Sequence, residues 1–230
     1  MDKRFLGILA AIIIIFIGIF AISQHSSNNS STGSGASNTQ PTNHVEGQNK
    51  AGVTLVEYGD YECPICEEYY LPLKQAVAPM LDQIHFQFRN LPLTAVHPNA
   101  FAGARAAEAA ALQGKFWQMH DKLYDNQNAW VSSSSPIDIF SQYAQQIGLN
   151  VSKFKNDYAS TKVNDSINAD IAAFLNTSYA NHDTSKEATP TFFLNGKYLS
   201  NNDLIDASGA PTAAKIQTVL KAAIDAKTKS

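Results

Sequence analysis

Cys63 and Cys66 are the only cysteines of the chain, and they stand together in Tyr61-Glu62-Cys63-Pro64-Ile65-Cys66. Pro64 suits a first helical turn, where its missing N–H would have had no partner anyway. Cys63 then falls where free backbone N–H groups and the positive end of a helix dipole converge. That position lowers a thiol pKa below its free value of about 8.5 and favours the nucleophilic thiolate. Cys66, one turn along, can close a disulfide with Cys63, so the pair can hold or release two electrons. A zinc site would need two further ligands, and the sequence has no other cysteine and no His pair at ligand spacing. So short a loop also makes a poor structural staple. The reading is therefore redox chemistry on two thiols, with no metal and no cofactor.

The surrounding elements follow from the pattern. Val53-Thr54-Leu55-Val56-Glu57-Tyr58 reads as a buried strand, and Gly59 and Asp60 break it just before the cysteines. Glu57 stands out on this apolar run, because a carboxylate is costly to bury; the bland alternative is a Glu at an exposed strand edge. The helix from Cys63 is expected to kink at Pro72 and to kink again or end at Pro79. Ile84 to Arg89 alternates apolar and polar residues as a second strand, which makes a parallel βαβ start. From His97 to about Asp183 the signal is helical. An Ala-rich run from Ala100 to Leu112 stops at Gly114, Phe116, His120, Leu123 and Tyr124 share a face, Pro136 opens a helix and Asn150 caps another. Val163, Ile167, Asp170, Ile171, Phe174 and Leu175 form a last helical stripe. Thr191–Leu194 and Lys197–Leu199 flank Asn195-Gly196, a strong hairpin signal, and a final helix carries Ile216, Val219, Leu220 and Ile224.

Composition narrows the classes of function. With a net charge of −3 and 16% charged residues, nothing argues for nucleic acid. Met1 to Arg4 is a short basic head, and Phe5 to Ile22 is an uncharged apolar run near the length that spans a bilayer. An uncleaved signal-anchor is favoured over a cleaved signal peptide, for which Ala21-Ile22-Ser23 would be the loose cleavage site. Lys3 and Arg4 should stay cytoplasmic, which places the rest of the chain outside as a single-pass cell-membrane protein. Ser23 to about Lys50, rich in Ser, Asn, Thr, Gly and Gln, reads as a flexible tether.

Taken together, the ordered pieces resemble the DsbA-like thiol–disulfide oxidoreductases of the thioredoxin superfamily. The pieces are the cysteine motif, Arg89-Asn90-Leu91-Pro92-Leu93, His97-Pro98-Asn99-Ala100, Gln113 to Asp121, and Thr189-Pro190-Thr191-Phe192. The resemblance runs from about Val53 to about Leu220. It implies an α/β fold with a thioredoxin-like core at 51–96 and 186–230, a helical domain inserted at 97–185, and an N-terminal transmembrane helix at 5–22. It makes Cys63 the exposed attacking cysteine and Cys66 the more buried partner. Pro190 becomes a cis-proline beside the pair, Thr189 its neighbour that pairs with substrate and tunes Cys63, and Glu57 an acid beneath the pair that assists proton transfer. His97 and His120 read as helix-start and packing residues with no catalytic step. The implied activity is oxidation of cysteine pairs in unfolded or reduced secreted proteins, by a monomer. A DsbB-like or vitamin-K-epoxide-reductase-like quinone reductase would re-oxidise it. A reductase or isomerase of the same fold, or a non-catalytic peptide-binding module, are the rivals. One departure is Pro-Ile between the cysteines, where the strongly oxidising members have Pro-His; Ile65 cannot stabilise a thiolate as His does, so a weaker oxidant is expected.

Overall fold

The computed structural model describes residues 40–229. The basic head, the apolar run read as an anchor and the first part of the tether lie outside the described residues. Among those described, no helix is long and apolar enough to cross a membrane.

A five-stranded sheet positions everything else. Its strands are β1 (His44–Glu46), β2 (Val53–Gly59), β3 (Ile84–Asn90), β4 (Thr191–Leu194) and β5 (Lys197–Leu199), in the spatial order β1-β3-β2-β4-β5. β2 and β3 run parallel, joined by helix α1 (Pro64–Val77), and the other pairings are antiparallel. β2 lies at the centre, which explains its nearly continuous apolar sequence: it has a strand on each side and side chains covered on both faces. The hairpin turn takes φ of 51° at Asn195 and 76° at Gly196, the two positive values that a type I′ turn requires.

One face of the sheet is covered by α1 and the last helix, α8 (Ala213–Thr228). Leu73 and Val77 of α1 and Ile216 and Leu220 of α8 form a cluster with Val53, Leu55, Ile84 and Phe192. Each such side chain, fully buried, contributes about 1.5–3 kcal/mol. Helix α1 runs through Pro72 to Val77, and Pro79 sits in the short 3₁₀ turn that follows.

Between β3 and β4 the chain forms α2 (Ala100–Ala111), α3 (Phe116–Asp125), α4 (Gln127–Trp130), α5 (Pro136–Gln146), α6 (Val151–Tyr158) and α7 (Thr161–Leu175). Pro136 opens α5, and the Asn150 side chain accepts a hydrogen bond from the Lys153 N–H at the start of α6. Small residues bring this block close to the loop before α1. A Cβ on Gly103 would lie 3.0 Å from Tyr61 Cβ and 3.1 Å from the Trp130 ring.

The stretch read as tether ends before Lys50, because β1 is an edge strand paired with β3. Three residues are too few to show an alternating apolar pattern, and polar contacts hold this strand instead. The Thr42 N–H and hydroxyl both donate to the Asp170 carboxylate at 2.7 Å. His44 stacks on Phe116 with ring centroids 3.6 Å apart, and its Nε2 lies 2.8 Å from Glu108 Oε1.

Candidate active site

Cys63 is the residue that caps α1, with an extended backbone (φ −69°, ψ 122°), and Pro64 occupies the first helical position. Both cysteines are free thiols. Their environments differ in chemistry more than in exposure, since Cys63 is only 5% exposed and Cys66 is 0% exposed. The Cys63 thiol points at the Thr189 carbonyl, 3.4 Å away. A hydrogen bond from the Cys66 thiol lowers the Cys63 pKa to about 6. Burial works against this, while the N–H groups of Cys66 and Ile65 reinforce it. The opposite holds at Cys66: burial pushes its thiol well above the usual value, and Cys63 adds to the effect. The Asp60 N–H, 3.5 Å from Cys66 Sγ, counteracts it only in part. One sulfur is therefore an ionised nucleophile near neutral pH and the other holds its proton, the division that stepwise exchange requires.

Thr189 and Pro190 meet the pair across the fold, and the peptide bond between them is cis. The Pro190 carbonyl accepts from Asn201 Nδ2 at 3.0 Å, and the Asn201 carbonyl accepts from the Tyr69 hydroxyl on α1 at 3.3 Å, which fixes this loop against the helix. The Thr189 hydroxyl is buried and has no hydrogen-bond partner among the described residues. Ile65, between the cysteines, is 44% exposed and presents an apolar surface beside Cys63.

Glu57 is buried rather than at an exposed edge. Burial, with the charge on Cys63 as a second cause, raises its pKa to about 8. Its strand places it in register with Phe88 of β3. Gly59 permits the fit: a Cβ there would lie 2.5 Å from the Phe88 ring and 3.2 Å from Glu57 Oε1. Among the described residues no side-chain hydrogen bond reaches the Glu57 carboxyl, which lines a cavity of about 130 Å³ between α1 and α3.

Sequence reasoning missed the residues that hold the loop. In the sequence Asp60 shows only as a strand breaker, yet its buried carboxylate accepts from the N–H groups of Glu62 at 2.8 Å and Leu93 at 3.0 Å. It also lies 2.7 Å from His97 Nδ1. An Asp accepting from the N–H two residues on is an Asx turn, a local signal that was available. Gln127 of α4 had no such signal. Its Nε2 donates to the carbonyls of Tyr61 and Cys63, both at 3.0 Å, fastening the helical block to the active-site loop. No group of three or more His, Cys, Asp or Glu side chains able to hold a metal occurs among the described residues.

A dithiol at a helix N-terminus, facing a cis-proline loop on a mixed sheet with an inserted helical block, defines the thioredoxin-like class. The family described as Thioredoxin matches residues 39–221, and the chain belongs to that family. Among solved structures it is similar to BdbD from Bacillus subtilis in its oxidised form, with a TM-score of 0.61 and 22% identity over 83% of this chain and 97% of that one. It is also similar to alpha-DsbA1 from Wolbachia pipientis, with a TM-score of 0.64 and 16% identity over 83% and 94% of the two chains. Such distant likenesses bear on the fold, which is DsbA-like. Among curated proteins it is 37% identical over 180 residues to "Na(+)/H(+) antiporter NhaA 1" from Salinispora arenicola, covering 77% of this chain but 26% of that protein. A protein of the same name from Mycolicibacterium vanbaalenii is 35% identical over 206 residues, 85% of this chain and 31% of the relative. The shared segment is a minor part of those relatives, and antiport is not carried over with it.

Proposed function

We propose that the chain is a thiol–disulfide oxidoreductase that acts outside the cytosol and oxidises cysteine pairs of secreted or membrane proteins. The observation that carries this reading is the asymmetry of the pair: Cys63 held down at about 6 beside the Thr189 carbonyl, and Cys66 pushed up by burial. In the oxidised protein a substrate thiolate attacks Cys63 Sγ. The Cys63–Cys66 bond breaks, a mixed disulfide forms, and Cys66 leaves as a thiolate. Glu57, protonated at neutral pH with its pKa of about 8, is suited to return a proton to Cys66. A second substrate thiolate then attacks the substrate sulfur of the mixed disulfide, and Cys63 leaves as the stabilised thiolate.

The reduced pair must be oxidised again, and this reading assigns that step to a quinone-linked membrane protein of the DsbB-like or vitamin-K-epoxide-reductase-like kind. The apolar run at 5–22 would keep the domain near such a partner as a single-pass anchor. A Cys63 pKa of about 6 supports a moderate oxidant, lying nearer the thioredoxin value of about 7 than the DsbA value of about 3.5. The same observation favours the second reading, a membrane-anchored reductase or isomerase.

Equilibrating the full chain against glutathione buffers separates the two. A reduction potential above about −200 mV supports the oxidase, and one near the thioredoxin figure of about −270 mV supports the reductase. Cys63→Ser should abolish exchange, and Cys66→Ser should stop at a mixed disulfide with substrate. A Cys63→Ser variant that still oxidises a dithiol peptide would remove the scheme. Labelling of Cys63 in intact cells by a membrane-impermeant thiol reagent tests the location.

A further inference from the structure

The cavity behind the cysteine pair has a feature that exchange at sulfur does not use. His120 of α3 lies on its wall together with Glu57, and it is almost fully buried. Aromatic rings surround it: Phe88 at 5.0 Å, Tyr124 at 5.1 Å, Trp117 at 5.2 Å, Tyr61 at 5.6 Å and Tyr70 at 5.7 Å between centroids. An imidazole in such a box should bond to a protein group, since buried polar atoms are satisfied almost without exception. Neither ring nitrogen has a hydrogen-bond partner among the described residues. The carboxylate of the adjoining Asp121 has its Oδ1 3.6 Å from Nδ1, too far for a hydrogen bond. Both nitrogens are left for water, and a cavity of about 130 Å³ has room for several molecules at roughly 30 Å³ each.

The two ends of this cavity are chemically distinct. At the outer end Lys74 Nζ lies 2.6 Å from Asp121 Oδ2, in a half-exposed ion pair, and Glu46 of β1 is close by. At the inner end is Glu57, whose register partner Phe88 touches the His120 ring edge-on. We propose that His120 is a positioning residue for proton delivery, passing protons between solvent at the Lys74–Asp121 mouth and Glu57 across its two ring nitrogens. This rests on the oxidoreductase reading above.

The charges around His120 suit a neutral relay. Burial is the main cause that lowers the His120 pKa, with Lys74 and His44 adding to it and Asp121 opposing it. A neutral imidazole carries one donor and one acceptor, so it can take a proton on one side and release one on the other. Tyr61, Tyr70 and Tyr124 are all held un-ionised, mainly by burial, and do not compete for the proton. Burial pushes Asp121 up, but His120, Lys74 and Tyr70 hold it down at about 2, which keeps a carboxylate at the mouth. Glu46, its pKa raised by burial and by Asp121, completes the entrance. The step served is ring closure. From a mixed disulfide on Cys63, Glu57 first releases its own proton outward by way of His120; the Cys66 thiol then gives its proton to the Glu57 carboxylate and attacks Cys63 Sγ. The Cys63–Cys66 bond forms, the partner leaves as a thiolate, and Glu57 is protonated again.

The test uses the full chain in detergent, loaded with glutathione on Cys63, and follows closure from pH 5 to 9. His120→Phe should slow closure at pH 7 by about tenfold, less than the 10²–10⁴ of a direct proton-transfer group, with the glutathione equilibrium unchanged. His120→Ala should close slowly and recover when imidazole is added. A His120→Phe rate within about twofold of the parent, or a rate loss matched by an equal shift in equilibrium, overturns the proposal. So does a failure of imidazole to restore His120→Ala. Should His120→Phe not fold, Ala78→Trp decides, because Ala78 is an exposed residue of the cavity wall. Slowed closure in that variant supports the route and an unchanged rate overturns it. If the parent protein itself shows no exchange with glutathione, the oxidoreductase reading fails and this inference with it. If the parent exchanges and the variants match it, only the inference fails.

Discussion

Among the buried carboxylates of the described residues, Asp170 and Glu57 have surroundings that could hardly differ more. Asp170, on α7, accepts four hydrogen bonds: from the Thr42 N–H and hydroxyl, the Asn90 N–H, and Asn90 Nδ2. Glu108 extends that network, accepting from Asn90 Nδ2 and facing His44. Burial raises the Asp170 pKa, but these donors work against the rise. Glu57 is buried beside the cysteines with no such donors among the described residues, and its pKa climbs to about 8. One carboxylate joins the edge strand, the sheet and the helical block. The other sits beside the cysteine pair without such donors, where the proposed exchange needs a proton to move. A buried acid with a full set of donors is architecture; a buried acid without them is poised to change protonation state.

The pH dependence of stability tests the Glu57 half of this contrast and carries the largest expected effect. With its folded pKa raised from 4.5 to about 8, Glu57 stabilises the fold fully below pH 4.5. That contribution is lost as pH rises towards 8, a change of about 5 kcal/mol at 1.36 kcal/mol per unit. In the dithiol form Cys63 opposes it between about pH 6 and 9, since the folded state sheds that proton first. Urea unfolding of the disulfide form removes this opposition together with the part of the Glu57 shift that the Cys63 charge causes, and Glu57→Gln should flatten the slope that burial leaves. A parental curve already flat from pH 5 to 8 would break the comparison. Next in size, Asp170→Ala should lower stability by about 3 kcal/mol at neutral pH, because it strands the buried Thr42 and Asn90 donors. A loss under about 1 kcal/mol would mean that water replaces the carboxylate and that Asp170 is no joint. The smallest effect belongs to the outer layer: His44→Ala, which gives up the Phe116 stack and the Glu108 contact, should cost about 1 kcal/mol in the same assay.

The sequence carried the site residues better than the scaffolding around them. The cysteine pair, the strand before it, the parallel βαβ start, the hairpin at Asn195-Gly196 and the helical stripes are local patterns, and each stands where the pattern placed it. Glu57 was visible as one charge on an apolar strand. What stayed hidden depends on partners far apart in the chain. Asp170 looked like one polar break in a helical stripe, and only the fold brings Thr42, 128 residues earlier, to within 2.7 Å of it. β1 escaped notice for the same reason, being held by this network rather than by apolar residues of its own. The stripe puts His120 on the buried face of α3, but it does not reveal that both ring nitrogens lack a protein partner among the described residues.

The two tryptophans give the molecule a pair of optical probes set in different surroundings. Trp130 is fully buried in the helical block, with its indole N–H donating to the Leu123 carbonyl at 2.9 Å. Trp117 lies on the cavity wall with its ring 5.2 Å from that of His120. An imidazolium quenches indole emission far more strongly than a neutral imidazole does. Acidification should therefore dim the Trp117 component and leave that of Trp130 steady. In Trp130→Phe the remaining emission would report the charge on His120 directly, and in Trp117→Phe it would serve as an internal reference.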